Sequence, residues 1–385
     1  MSKKHLVVLL LLLNSTAAIA QQLPDITLGT RHRIYSETLG EEREYWVRLP
    51  EGYTNPLLAH RSYPVLIVLD GATLFKPIAG AVDHLSALRQ GTSRIPPMIV
   101  VGLLNVNRER DFTPDKIITR RENQTGGGDR FLAFLEGELI PALGEGYRTK
   151  PYHILFGHSL GGLLAAHTFL KEETIFNALM AIDPSFGMWD EATMDAKMEH
   201  VTASTFDRYL YLASANWGAR NLNNRDRHVR YYSWLQRLSQ DTMQASYDYF
   251  EDENHASVPL FAFYRGMNTM FKGYGLRTSE VDSPEEVVQH YQRISDRLAF
   301  RFPPPEDLVV RLGNQHLPRK DWQQAIAYFE LNTRNYPNSL AAHRYLARAC
   351  ESDGQTERAV RAYRRILELD PTDAEARTKV ETLKN

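Results

Sequence analysis

The segment His153 to Phe169, HILFGHSLGGLLAAHTF, passes from an apolar stretch into a helix-like stretch through a serine flanked by glycines. Its centre fits the pattern G-x-S-x-G at Gly157, Ser159 and Gly161. A serine in this pattern can stand on a sharp turn between a strand and a helix, with its hydroxyl group exposed at the edge of a parallel sheet. A G-x-S-x-G pattern can arise by chance in a chain of this length. The role of Ser159 is therefore argued from the strand-like and helix-like segments on either side of the pattern. We interpret Ser159 as a nucleophile on such a turn.

The chain around this turn alternates between strand-like and helix-like patterns. A hairpin is predicted over Ser36 to Pro50, turning at Gly40-Glu41. Continuous apolar runs at Val65 to Leu69 and Met98 to Leu104 predict buried parallel strands. Four more short strands are predicted, at His153 to Phe156, Ala178 to Ile182, Tyr209 to Ala213 and Ser246 to Phe250. Helix-compatible stretches lie between them, including Phe131 to Leu143, Arg227 to Leu238 and Pro259 to Phe271. This alternation predicts an α/β fold, a doubly wound and mostly parallel sheet with helices on both faces.

The length of 385 residues suggests more than one domain. Lys3 and Lys4 precede the apolar run Leu6 to Leu13, and Ala18-Ile19-Ala20 offers a cleavage site, which is typical of a secretory signal peptide. We therefore expect a periplasmic or secreted protein without a membrane span. The predicted organisation is a signal peptide at 1–20, an α/β domain at 21–300 and an all-helical segment at 306–385, after the break at Pro303 to Pro305.

The helical segment repeats itself. Ala325, Phe329 and Pro337 recur 34 residues later as Ala359, Tyr363 and Pro371, and Leu312-Gly313 recurs as Leu346-Ala347. A period of 34 with small, aromatic and proline residues at these offsets is typical of tetratricopeptide repeats. Two repeats are fewer than such arrays need for stability alone, so we expect them to pack on the α/β domain, on a second copy in a homodimer or on a protein partner.

Composition excludes several classes of function. The formal net charge of −2 gives no electrostatic basis for binding nucleic acid. Cys350 is the only cysteine, so no disulfide can form within the chain. Neither an H-E-x-x-H motif nor a cysteine–histidine cluster is present, and we expect no metal and no cofactor.

A serine nucleophile needs a base, because its hydroxyl group is weakly nucleophilic at neutral pH. His255 follows the last predicted strand, where this class of fold places the base. His158 adjoins the serine within the turn, and His167 falls on the following helix, so both fit the role less well. We predict His255 as the base.

The carboxylate that would orient His255 is ambiguous in the sequence. Asp226 is the first acid after the strand Tyr209 to Ala213, but it reads as the start of a helix. Asp183 lies one strand earlier, directly after Ile182, and Glu253 precedes the histidine by two residues. A serine–histidine pair without a carboxylate is a further alternative.

Four segments occur in order, YPVLIVLDG, VVGLLNVNRERDFTP, FGHSLGG and ENHASVPL. With this spacing the chain resembles the esterase-D and enterochelin-esterase-like branch of the α/β-hydrolases, in a secreted form carrying tetratricopeptide repeats. The resemblance implies ester hydrolysis with Ser159 as nucleophile and His255 as base. It also implies an oxyanion hole from the Leu160 amide and a second amide near Gly71-Ala72, for which we take Ala72. Acids just before the histidine are frequent in this family, which favours Glu253 over Asp226.

The leading hypothesis is therefore a serine hydrolase that cleaves carboxylic esters of small molecules through an acyl-enzyme. The resemblance to siderophore esterases suggests one class of substrate. An acyltransferase of the same fold is an alternative within enzymes. A non-catalytic binding or scaffold protein that uses its repeats is the alternative from another class.

Overall fold

A computed structural model of the chain describes residues 27–87, 93–117, 125–189, 191–201, 207–218, 223–239 and 244–383. The predicted signal peptide at residues 1–20 lies outside these ranges. Within them, eight strands form one sheet: β1 (Thr30–Ser36), β2 (Glu41–Arg48), β3 (Tyr63–Val68), β4 (Ile99–Leu103), β5 (Thr149–His158), β6 (Phe176–Ile182), β7 (Tyr209–Ala215) and β8 (Ala245–Phe250).

The order of strands across the sheet is β1-β2-β4-β3-β5-β6-β7-β8. The strands β1, β2 and β4 pair antiparallel, and every pairing from β4 through β3 to β8 is parallel. This confirms the predicted mostly parallel sheet. The first arm of the hairpin lies earlier than predicted, because Ser36 already pairs with Glu41 and Gly40, at φ 73°, closes the turn between them.

Helices cover both faces of the sheet: α1 (Gly71–Ser86), α2 (Arg108–Phe112), α3 (Gly128–Phe134), α4 (Ile140–Gly146), α5 (Leu160–Phe169), α6 (Glu191–Glu199), α7 (Asn223–Ser239), α8 (Val258–Met270) and α9 (Pro284–Arg297). Side chains alternate between the faces along each strand. On β3, Leu66 and Val68 join a core with α1, α8 and α9, whereas Val65 and Ile67 join a second core with α3, α5 and α7. We call β1 through α9 the sheet domain.

The helix predicted over Phe131 to Leu143 is interrupted. It consists of α3, a π-helical turn at Leu135–Leu139 and α4. Pro141 lies in the first turn of α4 and has no N–H group, so it cannot continue the α-helical hydrogen-bond ladder from α3. The wider π turn accommodates that missing bond.

The chain ends in a helical tail of five helices within the described residues: α10 (Glu306–His316), α11 (Trp322–Asn335), α12 (Leu340–Ser352), α13 (Thr356–Leu369) and α14 (Ala374–Thr382). The 34-residue period corresponds to the pairs α10–α11 and α12–α13. Gly313 on α10 must be small, since a Cβ atom there would lie 2.4 Å from the ring of Phe329 on α11. The repeat pattern therefore has the physical basis expected for paired helices.

The helical tail packs against the sheet domain within the same chain. Leu308, Val309 and Leu312 of α10 are buried in the same core as Tyr291 of α9 and Phe302. At the end of this contact the buried Glu306 carboxylate accepts hydrogen bonds from His60 and Arg61 of the sheet domain and from Ser339 of the tail. The first of the three predicted packing arrangements is therefore the one present in this structure.

Candidate active site

Ser159 occupies the sharp turn between β5 and α5. Its backbone has φ 60° and ψ −117°, a strained conformation for a residue with a side chain. The turn is held by hydrogen bonds from the Ser159 amide to the carbonyl of Ile182 (3.0 Å) and from the Leu163 amide to the carbonyl of Ser159 (2.9 Å). The geometry is that predicted from the G-x-S-x-G pattern.

Two glycines make this turn possible. A Cβ atom on Gly157 would lie 2.0 Å from the carbonyl oxygen of Gly161, and one on Gly162 would lie 2.8 Å from that of Ile182. Gly161 is less constrained, because its nearest neighbour would be the Leu69 side chain at 3.4 Å. The close approach of strand and helix therefore depends on Gly157 and Gly162 more than on the last glycine of the pattern.

The Ser159 hydroxyl group pairs with a second serine. Its Oγ lies 3.0 Å from Oγ of Ser185, and the Ser185 amide donates a hydrogen bond to the carbonyl of Ser159. Among the described residues, no hydrogen bond joins Ser159 Oγ to His255. Ser185 was not singled out by the sequence analysis, although it lies three residues after the strand that neighbours β5.

His255 lies in the loop between β8 and α8, as its position in the sequence predicts. Its Nδ1 is 2.5 Å from Oδ2 of Asp183, and its side chain is 30% exposed. An ionised carboxylate only accepts hydrogen bonds, so Nδ1 carries the proton and Nε2 has the free lone pair that a base needs.

Asp183 is fully buried at the carboxyl end of β6, with φ 41°. Besides His255, it accepts hydrogen bonds from the Ala215 amide at Oδ1 (3.0 Å) and from Trp217 Nε1 at Oδ2 (2.8 Å). Burial alone would raise the pKa of the Asp183 carboxyl group. The hydrogen bonds from His255 and Ala215 outweigh burial and hold that pKa below its ordinary value, so Asp183 is ionised at neutral pH.

The structure corrects the predicted acid. Glu253, which was favoured, contributes its backbone carbonyl to a hydrogen bond from the Asn216 amide, and Asp183 is the carboxylate bonded to His255. Asp226 is exposed in the first turn of α7. The carboxyl ends of β6, β7 and β8 are adjacent in the sheet, so three loops were equally placed to supply the acid. The available signal was an acid directly after a buried strand, in the sequence Ile182-Asp183.

The electrostatic surroundings of the turn are set by a second cluster. Arg108 donates two hydrogen bonds to the Asp70 carboxylate, at 2.6 and 3.0 Å, and one to the backbone carbonyl of His158 at 3.3 Å. Burial, reinforced by the neighbouring His255, lowers the pKa of His158 to about 4, so this second imidazole is neutral at neutral pH. The cluster ties the loop before α1 to the serine turn.

The predicted oxyanion donors lie in adjacent turns. Leu160 is the first residue of α5, and Ala72 is in the first turn of α1, where backbone N–H groups have no partner within the helix. The two turns meet, since a Cβ atom on Gly161 would lie 3.6 Å from Oδ2 of Asp70. Their role as oxyanion donors stays a prediction.

A cavity of about 370 Å³ opens beside this cluster, lined by Asp70, Thr73, Leu74, Arg108, His158, Ala256 and Pro259. Across the described parts of the chain, no three histidine, cysteine or acidic side chains converge in a way that could hold a metal ion. None of the helices described has both the length and the apolar character needed to cross a bilayer.

The arrangement of strands, serine turn and histidine loop is that of an α/β-hydrolase. The family model Esterase matches residues 36–244, which is more than half of the chain, and the chain belongs to this esterase family. A tetratricopeptide-repeat model matches residues 340–380, which confirms the repeats predicted in the tail. The protein is therefore an ester hydrolase with a tetratricopeptide-repeat tail.

Individual relatives agree with this assignment. The chain is 27% identical over 251 residues to the ferri-bacillibactin esterase BesA of Bacillus subtilis, covering 60% of this chain and 85% of that one. An IroE-like serine hydrolase from Shewanella oneidensis superposes with a TM-score of 0.70 at 26% identity, covering 80% of this chain and 99% of the other. A protein from Capnocytophaga ochracea, at 18% identity and a TM-score of 0.61, shares the fold over 92% of this chain.

Proposed function

We propose that the protein hydrolyses carboxylic esters through an acyl-enzyme on Ser159, with His255 as base and Asp183 as the carboxylate that orients it. The observation that carries this proposal is the hydrogen bond of 2.5 Å between His255 Nδ1 and a buried, ionised Asp183, in a loop beside the strained serine turn. This bond fixes the imidazole in the tautomer that can accept a proton from a serine.

Acylation begins when the Ser159 hydroxyl group leaves Ser185 and turns toward His255. Catalytic hydrogen bonds are often absent from the unliganded state and form with bound substrate, so the observed pairing with Ser185 fits a resting site. Ser159 Oγ then forms a bond to the ester carbonyl carbon and passes its proton to His255 Nε2. The carbonyl oxygen becomes an oxyanion that the Leu160 and Ala72 amides stabilise; losing one such donor costs about 3–4 kcal/mol of transition-state stabilisation.

The tetrahedral intermediate collapses as the bond to the leaving alcohol breaks. His255 donates its proton to that alcohol, which leaves an acyl group on Ser159. Water attacks the acyl carbon and gives a proton to His255. His255 passes that proton to Ser159 Oγ as the bond from this oxygen to the acyl carbon breaks, which releases the carboxylic acid and restores the serine. Throughout, Asp183 stays ionised and stabilises the imidazolium.

Siderophore esters are the proposed class of substrate. The support is the relationship to BesA, whose name specifies ferri-bacillibactin. The cavity beside the serine turn is lined by polar side chains, Asp70, Arg108 and His158, and by the apolar Leu74 and Pro259. This mixture suits an ester that carries both ring carbons and polar oxygen atoms.

The test combines labelling with turnover. The wild-type protein is treated with a fluorophosphonate probe, and the modified peptide is identified by mass spectrometry. Turnover is then measured on a short-chain aryl ester and on bacillibactin with and without iron. We expect labelling at Ser159, turnover of both esters, and loss of both properties in Ser159→Ala with an unchanged thermal transition. Folded wild-type protein that neither labels nor hydrolyses either ester would refute the proposal.

A further inference from the structure

Trp217 contacts both residues proposed to assist the serine. It lies in the loop after β7, between the loops that carry Asp183 and His255. Its indole Nε1 donates a hydrogen bond of 2.8 Å to Oδ2 of Asp183, the same oxygen that binds His255. The indole ring also lies against the imidazole of His255, with centroids 4.6 Å apart and planes inclined by 39°. One side chain therefore holds the carboxylate and the histidine together.

A second ring contacts His255 from elsewhere. The imidazole of His158 lies 4.4 Å from that of His255, inclined by 40°. His255 therefore contacts the rings of both Trp217 and His158, while its Nδ1 is bound by Asp183. This leaves little freedom for the imidazole to rotate away from the serine turn.

The charged and titratable groups around His255 come from every neighbouring loop. Asp183 is the acid in contact with it, and His228 of α7 lies 3.9 Å behind that carboxylate. Burial lowers the pKa of His228 and of His158, so both are neutral near pH 7. On the loop of His255 itself, two acids at positions 251 and 252 are exposed and Glu253 is half-buried. From the turn before α1, Asp70 is already paired with Arg108.

We propose that Trp217 is a positioning residue of the hydrolytic site. Its N–H group holds the carboxylate of Asp183, which follows the neighbouring strand β6. Its ring holds the orientation of the His255 imidazole. The N–H group also takes up part of the negative charge on Oδ2, which weakens the attraction of Asp183 for a protonated His255. This inference rests on the proposed function, but it concerns a residue that the proposed reaction does not itself use.

Two substitutions separate the contributions of the ring and the N–H group. Trp217→Phe keeps a ring against His255 and removes the donor, and Trp217→Ala removes both. For a small aryl ester we expect kcat to fall about 10-fold in the first variant and about 100-fold in the second, with KM within about 2-fold of wild type. In Trp217→Phe the acidic limb of the pH profile of kcat/KM should move upward by about half a pH unit, because Asp183 then stabilises the imidazolium more strongly.

A spectroscopic measurement tests the contact without any turnover. A protonated imidazole quenches the fluorescence of an indole that it touches. In Ser159→Ala, tryptophan fluorescence should therefore titrate with His255. Adding either Trp217→Phe or His255→Ala should remove that component, whereas any contribution from Trp189 beside His167 should remain. If wild type shows no ester turnover but this titration is present, the proposed function fails and the contact itself stands.

Three results would overturn the inference. A rise in KM with unchanged kcat would make Trp217 a substrate contact instead. A lower melting temperature with wild-type kcat and an unmoved acidic limb, measured well below the transition, would make it a structural residue only. Fluorescence that titrates identically with and without Trp217 would show that the indole does not sense His255.

Discussion

Within the described parts of the chain, two buried carboxylates bind histidines, and the two pairs have different roles. Asp183 binds His255 at the carboxyl edge of the sheet, and Glu306 binds His60 where the helical tail meets the sheet domain. Burial would raise the pKa of each carboxyl group, but hydrogen bonds lower it, for Glu306 to about 2. By charge and partner type alone, the two pairs look alike.

The surroundings of each histidine make the difference. The His255 side chain is 30% exposed and lies in a loop beside a strained serine, whereas that of His60 is 8% exposed. Glu306 also binds Arg61 and Ser339, so its oxygens are occupied from both domains. An acid–histidine pair becomes a candidate for chemistry where the second ring nitrogen remains free beside a nucleophile. Elsewhere the same pair fastens one part of the fold to another.

The largest expected effect comes from the serine and histidine themselves. We expect Ser159→Ala and His255→Ala each to lower kcat by about 10⁵-fold or more, and the double variant to be little worse than either, because members of a catalytic unit act together. The measurement is kcat on an aryl ester for the three variants. Losses that multiply in the double variant would show that the two residues work independently.

Substituting Asp183 and substituting Glu306 should have very different effects on kcat. We expect Asp183→Asn to lower kcat by about 10⁴-fold, because the wrong tautomer of His255 is favoured when its partner is an amide. Glu306→Gln should leave kcat within about 2-fold of wild type, since it lies at the tail junction. A kinetically normal Asp183→Asn variant would remove Asp183 from the proposed mechanism.

Glu306 should instead control stability in acid. Its folded pKa of about 2 lies below the ordinary 4.5, so the stabilisation is complete above pH 4.5 and is lost as the pH falls toward 2. The difference between these two pKa values, about 2.5, corresponds to a stabilisation of the folded state by about 3 kcal/mol. We expect the melting temperatures of wild type and Glu306→Gln to differ at pH 6, the difference to shrink below pH 4.5, and the two values to converge only near pH 2. A constant difference across that range would contradict the assignment.

The smallest effects should come from the two acids that the sequence suggested first. Glu253→Gln and Asp226→Asn should each retain kcat within about 3-fold of wild type, because neither carboxylate binds His255 in the structure. Measuring both beside Asp183→Asn places the three candidates on one scale. A 100-fold loss in Glu253→Gln alone would restore the original prediction.

The fold was largely predictable because its signals are local. Continuous apolar runs marked β3 and β4, short strand-like stretches marked the other parallel strands, and the 34-residue period marked the tail. Pro141 shows the limit of such reasoning, since a periodic apolar pattern gave no sign that the ladder would break into a π turn there. The prediction of a helix over Phe131 to Leu143 was therefore correct in position, but the π turn shows that the helix is not continuous.

The site was predictable in part for a related reason. Ser159 and His255 each follow a strand in a recognisable local pattern, and the structure brings both to the same edge of the sheet. Asp183 depends on strand order, because β6 must lie beside β7 and β8 for its acid to reach the histidine. Ser185 and Trp217 depend on side-chain directions at loop ends, which no periodicity encodes. The sequence shows which residue types are present, but it does not show which residues from distant parts of the chain come together around His255.

The packing of α10 over Tyr291 and Phe302 also has a consequence for folding during synthesis. The tail is synthesised after the sheet domain, and at roughly 5–20 residues per second its helices emerge several seconds later. During that interval the apolar surface that receives α10 is bare and open to aggregation. Because the tail helices contact their neighbours in sequence, they can form quickly once released. The helical tail therefore covers a surface that the sheet domain, made before it, leaves exposed.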